Sequence, residues 1–570
     1  MRQVDSDTTL LFSTGGGAGS NNYIVGTAGV SANNTLAFAQ NATAAAAKIA
    51  LFGAGWQDPD RNSLQFLDGA VGANATINNK GAAVVFAAKS SAGSATITNG
   101  ANSLLSFIGA SSAAKAAIDN QGGMLQFADT ATGTTSTVVK STGTVDVSGS
   151  TAKTGVELGS LSGSGAVVLG ATRLTVGGFG GNDTLSGVVS DKGSVFAQPG
   201  SGTGGSIVKV GAGTLTLSGA NTYTGGTTVA AGTLSVTNKS GSATGTGAVQ
   251  VQSGATLAGT GTIAGTVTVA NGGAVNPGNG AGTLTVGGLA LNAGSVLNYQ
   301  LGQAGVAGGS LNDLINVNGN LRLDGTLNVS ETAGGKFGAG LYRLINYTGT
   351  LTDNGLVIGT APTDASKLWL QTSVANQVNL LNTDGLVLNL WDGGNAANVN
   401  DGKIAGGGGT WRAGGPGDNW TDANGLANGT WVQDGFAIFS GKAGTVTVDN
   451  KGVGGAVRIG GAQFAVDGYT IGGDALTMNT AGSVIRVGDG TAAGAGMSAT
   501  IDAAITGTGG LVKDDLGTLV LGGVNSYAGG TTVKGGILQI ASDANLGAAA
   551  GGLALEGSTL RVTSDTSSAR

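Results

Sequence analysis

One stretch of this chain is written twice. Gly213 to Val236 reads GTLTLSGANTYTGGTTVAAGTLSV, and Gly517 to Ile540 reads GTLVLGGVNSYAGGTTVKGGILQI. Aligned without a gap from Ser206 on Gly510, the two copies share 16 of 31 residues. Among them are Lys209/Lys513, Gly213/Gly517, Leu215/Leu519, Asn221/Asn525, Tyr223/Tyr527, Gly225/Gly529, Gly226/Gly530, Thr227/Thr531, Thr228/Thr532 and Leu234/Leu538. Self-similarity at long range marks an architecture of stacked units, none of which buries its apolar face alone.

A shorter period runs through the N-terminal third. Phe66, Phe86, Phe107 and Phe127 each close a Leu-x-Phe or Val-x-Phe triplet, at spacings of 20, 21 and 20. In step come Ala75-Thr-Ile77, Ala95-Thr-Ile97 and Ala117-Ile118, with Asn78, Asn99 and Asn120 beside them. Two short strands and their Gly/Asn turns fit one coil of a parallel β-helix at this period. Phenylalanine then stacks on phenylalanine and isoleucine on isoleucine. A ligand stripe is the other reading of the Phe column, but aromatics at a fixed solenoid period are mostly interior.

Composition narrows the choice. Of 570 residues, 111 are Gly and 5 Pro, without the three-residue period of collagen. Mean hydropathy is +0.19 and only 10% of residues are charged, which opposes disorder. Gly and Asn tolerate positive φ, and Thr and Val favour strands, so short strands joined by tight turns are expected. Zero Cys excludes disulfides and thiolate metal sites; zero His removes the base of a Ser-His-Asp triad and the commonest transition-metal ligand. Net charge is −6, with no Lys/Arg cluster, so no nucleic-acid partner is expected. No cofactor or metal is expected either. The most apolar run, Ala42 to Trp56, is interrupted by Lys48 and too short to span a bilayer as a helix. Asp5 and Asp7 stand where a signal peptide would be basic, and the C-terminal stretch lacks long barrel strands with aromatic girdles. Both ends read as those of a piece of a longer protein.

The duplicated pattern GTLxLxGxNxYxGGTTVxxGxLxV resembles the passenger-associated transport repeat of bacterial autotransporters, which export a β-helical passenger through their own outer-membrane barrel. The resemblance implies a right-handed parallel β-helix, all-β and elongated, with no membrane barrel in this chain. It implies a cell-surface, extracellular location, tethered through a translocator barrel outside this chain. It implies a structural or adhesive passenger rather than an enzyme, meeting host-cell, matrix or neighbouring-cell surfaces. It also implies that the two repeats assist export and stepwise folding. At about 4.8 Å per coil of 20–21 residues, 570 residues give roughly 27 coils and a rod of order 130 Å at most.

The expected organisation is N-terminal coils over 1–205, the first repeat and following coils over 206–300, and continued helix over 301–390. A Trp-rich block with coils covers 391–505, and the second repeat with truncated coils 506–570. Asn276-Pro277-Gly278-Asn279 is a strong turn signal. Gly177 to Gly187, GGFGGNDTLSG, resembles one imperfect calcium-binding nonapeptide; the alternative is an ordinary turn before a strand near Leu185. Asp313 and Asp324 read either as paired carboxylates or as corner residues. Trp391, Trp411, Trp420 and Trp431 read either as a cap on a solenoid end or as a carbohydrate platform. Two further function readings stay open: a β-helix enzyme acting on polysaccharide, and a calcium-stiffened solenoid.

Overall fold

The structure is a computed structural model describing residues 2–5, 7–192, 194, 202–278, 280–414, 417–479, 482–568 and 570. Strands alternate between faces of successive coils and pair almost wholly in parallel, as a β-helix requires. The chain divides into two compact units. One comprises Met1–Gly302, Gly308–Gly335 and Ile345–Pro362; the other comprises Gln303–Ala307, Lys336–Leu344 and Thr363–Arg570. No described helix is long and apolar enough to cross a membrane.

The first unit builds its early coils on strict two-residue alternation. Strand Thr76–Lys80 buries Ile77 and Asn79 and turns Thr76, Asn78 and Lys80 outward. It pairs in parallel with Thr96–Asn99, which pairs with Ala117–Asn120, so Ile77, Ile97 and Ile118 stack. The companion strands Ala83–Phe86, Leu104–Phe107 and Met124–Asp129 stack likewise on a second face. A third face is held by one bridge per coil, through Val71, Ser91, Ser112 and Thr132. That face offers no alternation to read, so the coil has three sides where the period suggested two strands.

The Phe column is interior, as its period indicates. Rings of Phe66, Phe86, Phe107 and Phe127 stack with centroids 4.4 to 5.0 Å apart and planes within 10°. Phe12 and Phe38 extend the column at 5.0 and 5.1 Å. Beside it runs a buried amide ladder. Asn79 Nδ2 donates to Asn99 Oδ1 (2.9 Å), Asn99 Nδ2 to Asn120 Oδ1 (2.8 Å), and Asn120 Nδ2 to the Ser141 hydroxyl (3.0 Å). The ladder starts at Asn79 and not at Asn78, which faces solvent opposite Thr98. Parity decides this: Asn79 shares the inward phase of Ile77, and Asn78 does not.

Corners are not reserved for glycine. At one stacked corner Ala45, Ala73 and Ala114 adopt φ of 48°, 51° and 47°, with Gly93 at 61°. Left-handed alanine costs about 1–2 kcal/mol, so coil stacking outweighs local preference here. Near residues 156–190 the faces are rebuilt: the first two sheets end at Ser160–Ser162 and Val189–Ser190, and new ones start at Val156–Leu158 and Asp183–Leu185. At the later Pro277 turn, Gly278 takes a φ of 86°; Asn279 lies outside the described residues.

The second unit opens differently. Trp420–Thr421 pairs antiparallel with Leu390–Trp391 and with Asn428–Gly429, and the parallel coils follow from Gly435–Phe439 onward. Trp391, Trp411, Trp420 and Trp431 are all buried and pack with one another and with Phe439. Phe439 in turn stacks on Phe464 at 5.0 Å. The four indoles plug the start of the coil interior, so none of them offers a face to a sugar.

Phe86→Ala removes a ring stacked on both sides. It should cost about 3–5 kcal/mol. Hydrogen exchange of the full chain checks this: amides of Ser63–Phe66 and Leu104–Phe107 should lose protection, and unchanged exchange there would contradict a continuous core.

Candidate functional site

Each repeat copy folds as two stacked coils. The first supplies strands Ser206–Lys209, Thr214–Leu217, Thr227–Val229 and Gly232–Val236; the second supplies Leu511–Asp514, Thr518–Leu521, Thr531–Val533 and Ile537–Ile540. In both, the first strand pairs with the third and the second with the fourth. Leu215 thus lies beside Leu234, and Leu519 beside Leu538, on the apolar interior. Thr227 and Thr531 point inward, while Thr228 and Thr532 are half-buried on the outer side. The copies lie in different units, so the 16 repeat positions form two local constellations.

Asn221 reaches both ways along the stack. Its Oδ1 accepts from the Val189 amide (2.7 Å), 32 residues earlier. Its Nδ2 donates to the Ala243 carbonyl (2.5 Å), 22 residues later. Asn525 repeats this with the Ile505 amide (2.7 Å) and the Asn545 carbonyl (2.5 Å). One buried side chain therefore satisfies a backbone group of the preceding coil and one of the following coil.

The neighbouring shared residues fix that side chain's surroundings. The buried Tyr223 hydroxyl shares a 2.5 Å hydrogen bond with Thr227 Oγ1, and Tyr527 one of 2.7 Å with Thr531 Oγ1. Burial pushes the Tyr527 pKa up to about 12, and Tyr223 also rises, so both stay protonated. A Cβ on Gly225 would collide with the Gly204 carbonyl, and one on Gly529 with the Gly510 amide. Gly226 and Gly530 take φ of 86° and 80°. The Gly-Gly pair thus combines backbone contact between coils with a left-handed turn. Gly213 and Gly517 likewise sit against the carbonyls of Gly181 and Met497.

The sharpest shared feature is a lysine whose role repeat matching alone does not reveal. Lys209 and Lys513 are 1% and 0% exposed. Lys209 Nζ donates to the carbonyls of Val210, Gly211 and Ala231 at 2.8, 2.8 and 3.1 Å. Lys513 Nζ donates to those of Asp514, Asp515 and Gly535 at 2.8, 2.8 and 3.0 Å. An ammonium has three donors, and each cage uses all three. The signal was parity: Lys209 shares the inward phase of Ile207, and Lys513 that of Leu511. Desolvation pushes the Lys513 pKa down from 10.5 to about 8, with Asp514 and Asp515 pulling the other way. Lys209 is lowered by the same cause and opposed by Asp183.

The remaining acidic candidates are occupied by the coils. Asp183, in the nonapeptide-like stretch, is buried and accepts from the Ser160 hydroxyl at 2.6 Å. It begins strand Asp183–Leu185, matching the turn-before-strand alternative. Among the described residues no group of three or more Asp or Glu is placed to hold a metal ion. Asp313 accepts from the Gly282 and Gln300 amides (2.8 and 2.7 Å), whereas Asp324 accepts from Gly325 and Asn354. The two are held by separate coil contacts and are not brought together as a carboxylate pair. Burial raises the Asp313 pKa to about 7 despite its two amide bonds.

Asn525→Ala strands the Ile505 amide and the Asn545 carbonyl. At about 1–3 kcal/mol for each orphaned group, a loss of roughly 2–6 kcal/mol is expected in urea unfolding of the full chain. Asn221→Ala should match it; a cost near zero would show that the bonds are incidental. For Lys513 the sign follows from its lowered pKa. From about pH 8 to 10.5 the unfolded chain still holds a proton that the folded chain has released, so stability gains with rising pH. The urea midpoint of the wild type should therefore rise relative to that of Lys513→Met over that window, and the offset between the two should be constant below it.

A family model described as passenger-associated-transport-repeat matches residues 207–236 and 511–540. Over 280 residues, 49% of this chain, the sequence is 55% identical to the adhesin BmaC autotransporter of Brucella suis biovar 1 (strain 1330). The chain spans only 8% of that relative's length. The chain is thus a β-solenoid that carries two matches to the passenger-associated transport repeat and is similar over about half of its own length to an autotransporter adhesin.

Proposed function

We propose that this chain is a stretch of a surface-displayed, adhesive autotransporter passenger, and that its two repeats act during export. The observation that carries the reading is the two-way asparagine. A chain crossing a membrane as a thread gains nothing from a coil until neighbouring coils exist, because its hydrogen bonds run between coils. Asn221 and Asn525 make the pairing of adjacent coils a condition for satisfying buried groups, so a folded coil resists retreat once the next is laid down. The carbonyl cages of Lys209 and Lys513 act in the same sense: a buried ammonium is tolerable only when both stacked coils are in place.

On this reading the chain lies outside the cell, tethered by a translocator barrel encoded elsewhere in the full-length protein. Its partners are host-cell, matrix or neighbouring-cell surfaces, and it performs no catalysis. The similarity to a protein named an adhesin supports this. So does the placement of Asp313 and Asp324 in separate corners, which removes the carboxylate pair an acid–base mechanism would use.

The test is display on a Gram-negative host, with the chain placed between a signal peptide and a translocator barrel. Asn221→Ala combined with Asn525→Ala should lower protease-accessible surface protein several-fold and leave the remainder in the periplasm. Display equal to wild type would sink the export role. Wild-type display should raise adherence to cultured cells or matrix above the barrel alone; no rise would sink the adhesive role.

A further inference from the structure

In the second unit one indole stands apart from the buried cluster. Trp369 is 43% exposed, whereas Trp391, Trp411, Trp420 and Trp431 lie at 3% or less. It sits on strand Leu368–Gln371, which runs antiparallel to Gln377–Asn382 with Trp369 opposite Leu381. Beside it opens a cleft of about 380 Å³, whose walls include Gln371, Ser373, Asp418 and Thr430. That volume falls within the roughly 300–1,000 Å³ of small-ligand sites.

The polar side of the cleft is held from behind. Gln371 Nε2 donates to the Asn428 carbonyl (3.1 Å), and its Oε1 accepts from Asn379 (3.0 Å) and Asn400 (2.8 Å). Asn428 Nδ2 donates to Asp392 (2.8 Å) and to the Asp418 carbonyl (2.9 Å). The Ser373 hydroxyl donates to Asp418 Oδ2. A carboxylate has about four lone-pair sites, so Asp418 retains acceptor capacity toward the cleft. The Thr430 hydroxyl makes no hydrogen bond among the described residues. A hydrogen-bonded polar wall and one exposed aromatic ring thus line the same cleft.

We propose that this cleft binds a neutral hexopyranose of a glycan, its C–H face on Trp369 and its hydroxyls on Asp418, Ser373 and Thr430. A pyranose ring has one face of C–H groups, which the electron-rich indole face attracts, and a rim of hydroxyls, which the polar wall meets. The carboxylate favours hydroxyl donors and repels acidic sugars. Asp418 is the only carboxylate among the described lining residues, and glycoside cleavage ordinarily uses two, so the cleft is assigned to holding a sugar and not to cutting it. The proposal rests on the reading of the chain as surface-displayed, since only there does it meet another cell's glycans.

The purified full chain should be titrated with methyl glycosides of glucose, galactose and mannose, and probed on an array of neutral and sialylated glycans. At least one neutral hexose should bind. Trp369→Ala should weaken it at least ten-fold and Trp369→Phe less, with Asp418→Asn intermediate and circular dichroism unchanged. No binding to any neutral hexose, or equal binding by Trp369→Ala, overturns the proposal. Displayed cells separate it from the adhesive reading. If the purified chain shows no Trp369-dependent sugar binding while displayed cells still adhere, the cleft proposal falls and adhesion stands. If the purified chain binds sugar through Trp369 but displayed cells do not adhere, the cleft stands and the adhesive reading falls.

Discussion

Parallel pairing between successive coils is the interaction on which the rest of this molecule depends. Few of the backbone bonds are local; they join residues about 20 to 33 apart, as between Ala83 and Asn62 or Thr222 and Val189. Closing such a loop costs entropy that a lone coil does not recover. Stability is then close to a sum of coil terms and interface terms between neighbours. The columns of Phe, Ile and Leu increase each interface term, and the amides of Asn79, Asn99 and Asn120 add directional bonds along the same axis.

The interior divides into apolar columns and a smaller set of polar contacts with strict geometry. An apolar column supplies much burial but little selectivity, since Val, Leu and Ile substitute for one another at modest cost. The two-way asparagines and caged lysines behave oppositely. They add little net energy when made and leave expensive orphans when broken. Both occur at the two repeat copies, where close backbone contact at Gly225 and Gly529 also demands exact placement. The repeats are therefore where the pairing of coils is most firmly specified.

Much of this was legible in the sequence, for physical reasons. The Phe period predicts stacked coils because an invariant spacing of about 20 leaves no other partner for each ring. Phe12 and Phe38 escape that pattern because corner insertions stretch their spacings to 26 and 28 residues, though the rings still stack. The Asn column is placed one residue off at its start, since a fixed count from Asn99 does not track the strand parity that turns Asn79 inward. Trp369 is hidden for the same reason. In a Leu-Trp-Leu triplet the alternation is plain, but which phase meets solvent depends on the neighbouring strand. The third coil face, held by single bridges, offers no alternation to read and so is not recognised as a strand.

The reach of Asn221 and Asn525 toward both neighbours has an evolutionary corollary. Inserting or deleting a single residue within a strand reverses its inward phase, expels a column residue and misdirects every amide beyond it. Inserting a whole coil keeps phase and partners alike. Chains of this kind are thus expected to change length in steps of one coil or more, with corners absorbing the small indels that strands refuse.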